Sequence, residues 1–144
     1  MAHFQHILDQ LPYSEPFRFV DSLEAVSESG VEGRYRFGED AYFYKGHFKG
    51  NPITPGVILT ECMAQIGVVC LGIFLLSEAA SDGTQIALSH HEVDFYLPVY
   101  PGETVRVISE KEYFRFQKLQ CKVKMLNEKG ELVCKGVISG MVVK

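Results

Sequence analysis

The sequence predicts an α+β fold in which an antiparallel β-sheet wraps around one long central apolar helix. Three observations lead there. Residues 56–76 are apolar on nearly every side, interrupted by Glu61 and Gln65, so the helix they form must be surrounded rather than laid on a surface. The segments QIALSHHEVDF, TVRVISEKEYFRF, KLQCKVKML and ELVCKGVISGMVV beyond it are rich in β-branched and aromatic residues. Strand-like segments also precede the helix, so the order is strands, one buried helix, then a run of antiparallel strands.

Each element follows in turn. Phe4, Ile7, Leu8 and Leu11 keep the i, i+3, i+4, i+7 spacing of a short amphipathic helix, stopped by Pro12 and suited to covering an edge or opening. EPFRFVDSLEAV (15–26) reads as a strand. GVEGRYRF (30–37) reads as a half-buried one, alternating Val31, Gly33, Tyr35 and Phe37 against Glu32, Arg34 and Arg36. A loop from Gly38 to Thr54 leads to the long helix, with Thr54 as N-cap and Pro55 at the first helical position, where its missing N–H costs nothing. The helix runs to about Glu78, and Ser81-Asp82-Gly83 breaks it. YPGE (100–103) is a turn, and LNEKGEL (126–132) is a hairpin connection with Gly130 at the left-handed position.

At 144 residues the chain suits a single domain spanning 1–144. Fourteen basic and 18 acidic side chains leave a net charge of −4, which argues against nucleic acid as a partner. Cys62, Cys70, Cys121 and Cys134 form no CxxC pair or Cys/His spacing of a zinc site, and adjacent His90 and His91 face opposite sides of a strand, so no metal is expected. The N-terminal residues lack a basic region followed by an apolar run, so the cytoplasm is the expected compartment. Glu61 and Gln65 interrupt the helix too early for a membrane span, which leaves a buried core helix. No G-x-S-x-G or phosphate-binding loop occurs.

The chemistry concentrates in residues 46–65, GHFKGNPITPGVILTECMAQ. The N–H groups that open a helix have no intrahelical partner, and Gly56 can present one to an oxyanion without a side chain in the way. Glu61 lies five residues on, roughly 7 to 8 Å along the axis at about 1.5 Å per residue. Val57, Ile58, Ala64 and Val68 share its side of the helix, so desolvation should raise its pKa and let it donate a proton. Gln65, at i+4, can orient it. His47, in a loop stiffened by proline, can act as a base. Base, acid and oxyanion donor are the parts needed to abstract a proton α to a carbonyl and expel hydroxide.

The same stretch closely resembles the GHFPGxPxxPGVLxxEAxAQ signature of the 3-hydroxyacyl-acyl carrier protein dehydratases of the hot-dog fold, including the fourteen-residue separation of His47 from Glu61. LPYSEPFRFVD (11–21) and VDFYLPVYPGETVRV (93–107) resemble that family's flanking segments, so the likeness runs the full chain. It implies a (3R)-3-hydroxyacyl thioester on acyl carrier protein as substrate and a trans-2-enoyl thioester as product, without cofactor. It also implies a double hot-dog homodimer whose sites each take His47 from one subunit and Glu61 from the other, higher or heteromeric assembly staying open. His47 is then the base at the α carbon, Glu61 the acid at the 3-hydroxyl, and Gly56 the thioester's N–H donor, with Phe48, Val57 and Gln65 at the substrate. Glu at position 61 resembles the branch that only dehydrates, not the isomerising branch that carries Asp.

Lys49 replaces a usual proline, and Tyr13, Ser14 and Glu15 replace His, Arg and Tyr. Residues 95–97, Phe-Tyr-Leu, lack the basic neighbours that commonly help dock the carrier. Lys45, Lys49, Arg115, Lys118, Lys122 and Lys124 are candidates for a substitute patch, and Tyr42, Phe43, Tyr44, Tyr96 and Tyr100 for acyl-pocket walls or packing. These departures give weight to a specialised polyketide or aryl polyene pathway beside fatty-acid synthesis. Two other functions compete: a hot-dog acyl thioesterase, which would release free thiol, and a non-catalytic acyl-binding partner subunit, which would have no need of a buried acid.

Overall fold

The computed structural model describes residues 4–76 and 85–143. A short helix α1 (Gln5–Leu8) precedes β1 (Ser22–Ser27) and β2 (Gly30–Arg36); a 3-10 turn (Tyr42–Lys45) and a loop lead into the helix α2 (Gly56–Leu76). Then come β3 (Gln85–Phe95), β4 (Thr104–Arg115), β5 (Lys118–Leu126) and β6 (Leu132–Val143). The strands form one antiparallel sheet in the order β1-β2-β4-β5-β6-β3. Both β1 and β3 are therefore edges.

Alternation along β4 and β5 turns Val105, Val107, Leu119, Cys121, Val123 and Met125 inward, where they join Cys62, Met63, Ile66 and Cys70 of α2 in one core. By length and a mean hydropathy of 2.0, α2 could cross a membrane, but 83% of its apolar 18-residue window is buried inside the fold. The sheet supplies the apolar surroundings that its all-round hydrophobicity requires. Ile7, Leu8 and Leu11 of the N-terminal segment close part of the same core.

Helix α2 is not uniform. Its central residues, Gln65–Cys70, are wound as π-helix between α-helical Gly56–Ala64 and Leu71–Leu76. Gly67 lies against β4 and β5, where a Cβ would come within 3.0 Å of Val123 and 3.1 Å of Ser109. The Ser109 hydroxyl donates to the Gly67 carbonyl at 2.8 Å, so an oxygen in the widened turn finds a partner on the sheet.

Two expectations need correction. Residues 15–21 do not extend β1, because the Phe19 N–H is taken by the Gln65 side chain, at 2.8 Å, instead of by a strand ladder. Thr54 does not cap the helix: its hydroxyl pairs with the Tyr44 hydroxyl at 2.6 Å, Pro55 is the cap residue, and the helix begins at Gly56. The turn between β4 and β5 is made by Phe116 and Gln117, both with positive φ (53° and 62°), without the Asn or Gly that ordinarily marks it. Gly130, at φ +79°, stands in the hairpin turn as expected. Glu78 and the Ser81-Asp82-Gly83 break lie outside the described residues.

Candidate active site

The loop that carries His47 is tied to itself. Phe48 and Asn51 exchange both backbone hydrogen bonds at 2.9 Å, the His47 N–H donates to Phe43 at 3.1 Å, and the Ile53 N–H donates to the His47 carbonyl at 2.8 Å. The His47 ring stacks on Phe48, with centroids 3.9 Å apart, and its Nδ1 lies 2.9 Å from the Ile53 carbonyl. A carbonyl can only accept, so Nδ1 carries the proton and a neutral ring keeps its lone pair on Nε2. That tautomer is ready to act as a base.

His47, Thr54, Gly56, Leu59, Phe95 and Tyr96 line one cavity of about 310 Å³. Gly56 is the first residue of α2 and lines this space, so its N–H lacks an intrahelical partner and the positive end of the helix lies here. A Cβ on Gly56 would stand 3.3 Å from the Phe95 ring, so the glycine also lets that ring pack on the helix start. His47 and Gly56 thus share a cavity.

Glu61 faces another space. Burial raises its pKa, and a hydrogen bond from Gln65 Nε2 to Glu61 Oε2, 2.9 Å, offsets part of that rise. Gln65 is fully buried and fully used: Nε2 also donates to the Phe17 carbonyl at 3.1 Å, while Oε1 accepts from Phe19. The cavity beside Glu61, about 30 Å³, is walled by Tyr13, Ala64, Val68, Val69, Ile86 and Ile138, among others. The expected desolvation by Val57 is not found, since that side chain is 76% exposed. Ala64, Val68 and Val69 provide it, one to two turns further along the helix.

Within one chain, then, His47 and Glu61 open onto different cavities. Phe48, Val57, Leu88, Phe95 and Tyr96 leave apolar surface exposed around the His47 mouth and along the β3 edge. Burial pushes the thiols of Cys70 and Cys134 up to about 12 and that of Cys121 to about 11, so none of these three is a nucleophile at neutral pH. Among the described residues no cluster of three or more His, Cys, Asp or Glu could hold a metal. Lys122 and Lys124 stand on β5 and Arg115 stacks over the Tyr113 ring, whereas Lys45 and Lys49 belong to the loop ahead of α2. Sequence reasoning missed the Ile53 carbonyl, which no spacing can reveal, and named Phe95 only among residues that lack basic neighbours. It noted Tyr13 only as a departure.

A family model described as a FabA-like domain matches residues 11–139. The chain is 30% identical over 142 residues to the 3-hydroxyacyl-[acyl-carrier-protein] dehydratase FabZ of Clostridium perfringens (strain SM101 / Type A), covering 96% of each. It is 33% identical over 135 residues to that of Caldicellulosiruptor saccharolyticus, covering 90% of this chain and 91% of the relative. The dehydratase heterocomplex ApeI:P from Xenorhabdus doucetiae superposes with a TM-score of 0.80 at 14% identity over 96% of this chain and 91% of that one. A hypothetical thioesterase protein with coenzyme A from Streptococcus pneumoniae TIGR4 superposes with a TM-score of 0.61, also at 14% identity, over 99% and 96%. At such identities the structural likeness speaks for the hot-dog fold alone. Sequence carries the rest: with a family model over most of its length and relatives matched nearly end to end, this chain belongs to the FabA-like family, whose members include the 3-hydroxyacyl-[acyl-carrier-protein] dehydratases.

Proposed function

We propose that the protein is a homodimeric, single-domain, cytoplasmic dehydratase that converts a (3R)-3-hydroxyacyl thioester on acyl carrier protein to the trans-2-enoyl thioester. The observation that carries this reading is the pairing, in one cavity, of a His47 ring whose Nε2 is left basic with the unpartnered N–H of Gly56. The thioester carbonyl accepts from Gly56, so charge that develops on its oxygen meets the helix terminus. His47 Nε2 takes the proton from C2, and the electron pair closes the C2–C3 double bond as the C3–O bond breaks. Glu61, whose pKa burial raises, delivers a proton to the departing oxygen, which leaves as water.

Since His47 and Glu61 face separate cavities in one chain, the complete site takes one from each subunit. The unpaired edge of β3 and the apolar residues around it are the surface on which a second copy would close it. His47→Asn keeps a donor for the Ile53 carbonyl and Glu61→Gln keeps an acceptor for Gln65, so both variants should fold and dimerise. Each should lose about 10²- to 10⁴-fold in water loss from a 3-hydroxyacyl carrier protein, followed by mass spectrometry. Mixing and re-pairing the two inactive variants should restore about one quarter of the wild-type rate, because half the dimers are mixed and each has one intact site. No restoration would place both groups in one subunit. Release of free thiol without loss of water would favour the thioesterase reading instead.

A further inference from the structure

We propose that the Thr54 hydroxyl is a second hydrogen-bond donor to the thioester carbonyl, held in that role by the Tyr44 hydroxyl. This deepens the dehydratase reading and rests on it. Thr54 lines the same cavity as His47 and Gly56 and is 3% exposed. Its hydroxyl lies 2.6 Å from that of Tyr44, also buried, and neither hydroxyl makes another hydrogen bond with a described residue.

Two hydroxyls bring two hydrogens to one bond, so one hydrogen is left over. The phenol is the stronger acid and hence the better donor, so Tyr44 donates, Thr54 accepts, and the spare hydrogen belongs to Thr54. Thr54 borders the His47 cavity, and the acceptor that arrives there is substrate. Stability alone does not call for the pair. Replacing both partners of a buried hydrogen bond by apolar groups of the same shape is nearly neutral, so a phenyl ring and an isopropyl group would fill the two positions about as well.

The backbone holds the donor in place. The Thr54 N–H donates to the Val99 carbonyl at 2.9 Å, the Ile53 carbonyl takes His47 Nδ1–H at 2.9 Å, and Gly56 opens the helix. Residues 53–56 thus carry the anchor of the base, the hydroxyl and the helix N–H on one short run. A carbonyl oxygen has two lone pairs, so it can accept from Gly56 and Thr54 together. As His47 Nε2 takes the C2 proton, electron density from that bond moves onto the carbonyl oxygen, where both donors meet the growing charge. It returns to close the C2–C3 double bond as the C3–O bond breaks, and Thr54 keeps its proton throughout. Tyr44 does not border the cavity, so it is a positioning residue that turns the Thr54 hydrogen toward it.

Kinetics and infrared spectroscopy of the dimer test this. Thr54→Val keeps the shape and removes the donor, so kcat should fall about 10²-fold with KM within about twofold. Thr54→Ser should recover most of that loss. With a pantetheine trans-2-enoyl thioester bound, carbon-13-labelled at its carbonyl, the carbonyl stretch should move to higher frequency in Thr54→Val and return toward the wild-type position in Thr54→Ser. Tyr44→Phe frees the Thr54 hydroxyl to rotate and should lower kcat less, about three- to tenfold. An unmoved carbonyl band in Thr54→Val overturns the proposal, as does a wild-type kcat in either Thr54→Val or Tyr44→Phe. A Thr54→Ser variant as slow as Thr54→Val overturns it too, because packing of the threonine methyl would then be what matters. If Thr54→Val fails to fold, the double variant Tyr44→Phe/Thr54→Val, which leaves no hydroxyl stranded, carries the same expectations. A wild-type protein that binds the enoyl thioester but eliminates no water sinks the dehydratase reading instead, while the carbonyl band reports on Thr54 separately.

Discussion

Gln65 joins Glu61 to the segment ahead of β1: its Nε2 donates to Glu61 Oε2 at 2.9 Å while its Oε1 accepts the Phe19 N–H at 2.8 Å. One buried amide thus fixes the acid's side chain and replaces the strand ladder that residues 17–19 lack. Gln65→Leu keeps the volume but strands the Phe19 N–H and the Phe17 carbonyl, so it should cost about 1–3 kcal/mol in urea denaturation. It also removes the one contact that holds the Glu61 pKa down, so the alkaline limb of the rate profile should move to higher pH as kcat falls. An unmoved limb would mean that Gln65 does not govern the acid.

Glu61 makes the fold's stability fall with pH. Its folded-state pKa is raised by burial, so between the unfolded and folded values the native state binds more protons than the unfolded chain, and stability declines as pH rises through that window. The contribution is fully present below the unfolded value and lost above the folded one. Glu61→Gln cannot ionise and still accepts from Gln65. Its melting temperature should exceed that of the wild type at about pH 8 and converge with it near about pH 4. Equal offsets at both would show that the carboxyl is not desolvated.

What the sequence made legible was whatever depends on pattern. Val31 and Gly33 alternate inward as the spacing of β2 requires, Gly130 takes the left-handed turn, and an apolar run too hydrophobic for a surface becomes the core helix. In the site, the positions of His47, Gly56 and Glu61 on loop, helix start and helix follow from local signals. What stayed hidden depends on contacts distant in sequence. Thr54 looks like a cap until Tyr44 claims its hydroxyl, and residues 15–21 look like a strand until Gln65, 46 residues from Phe19, claims its N–H. The π-helical stretch likewise sits where Gly67 meets Ser109 and Val123 of the sheet, neighbours that no local propensity encodes.

Ser109 provides a direct test of that last point. Its side chain is buried and its hydroxyl is given to the Gly67 carbonyl at 2.8 Å. Ser109→Ala leaves that oxygen without its donor and should destabilise the protein by about 1–3 kcal/mol by chemical denaturation. Activity at saturating substrate should change little, because the Ser109 hydrogen bond goes to Gly67 and to neither Glu61 nor Gln65. A loss of kcat larger than the loss of stability explains would mean that the π-helical geometry itself sets the acid's position.

Gly136 marks where the edge strand can least tolerate a side chain. It pairs with Val93 across the β6–β3 ladder, and a Cβ there would stand 1.9 Å from the Glu92 carbonyl oxygen, a backbone atom that can yield only if β3 moves. Strand β3 ends at Phe95, whose ring packs on Gly56, and its outer edge is the one on which a second copy would pair. Gly136→Ala should therefore cost about 1–3 kcal/mol of stability, weaken the dimer in sedimentation, and lower kcat through displacement of Phe95. Gly38→Ala is the matched control, with nothing within 4 Å of its Cβ, and should stay within about 0.5 kcal/mol of wild type. If both alanines behave alike, β3 is free to shift, and neither the dimer edge nor the floor of the His47 cavity depends on where β6 holds it.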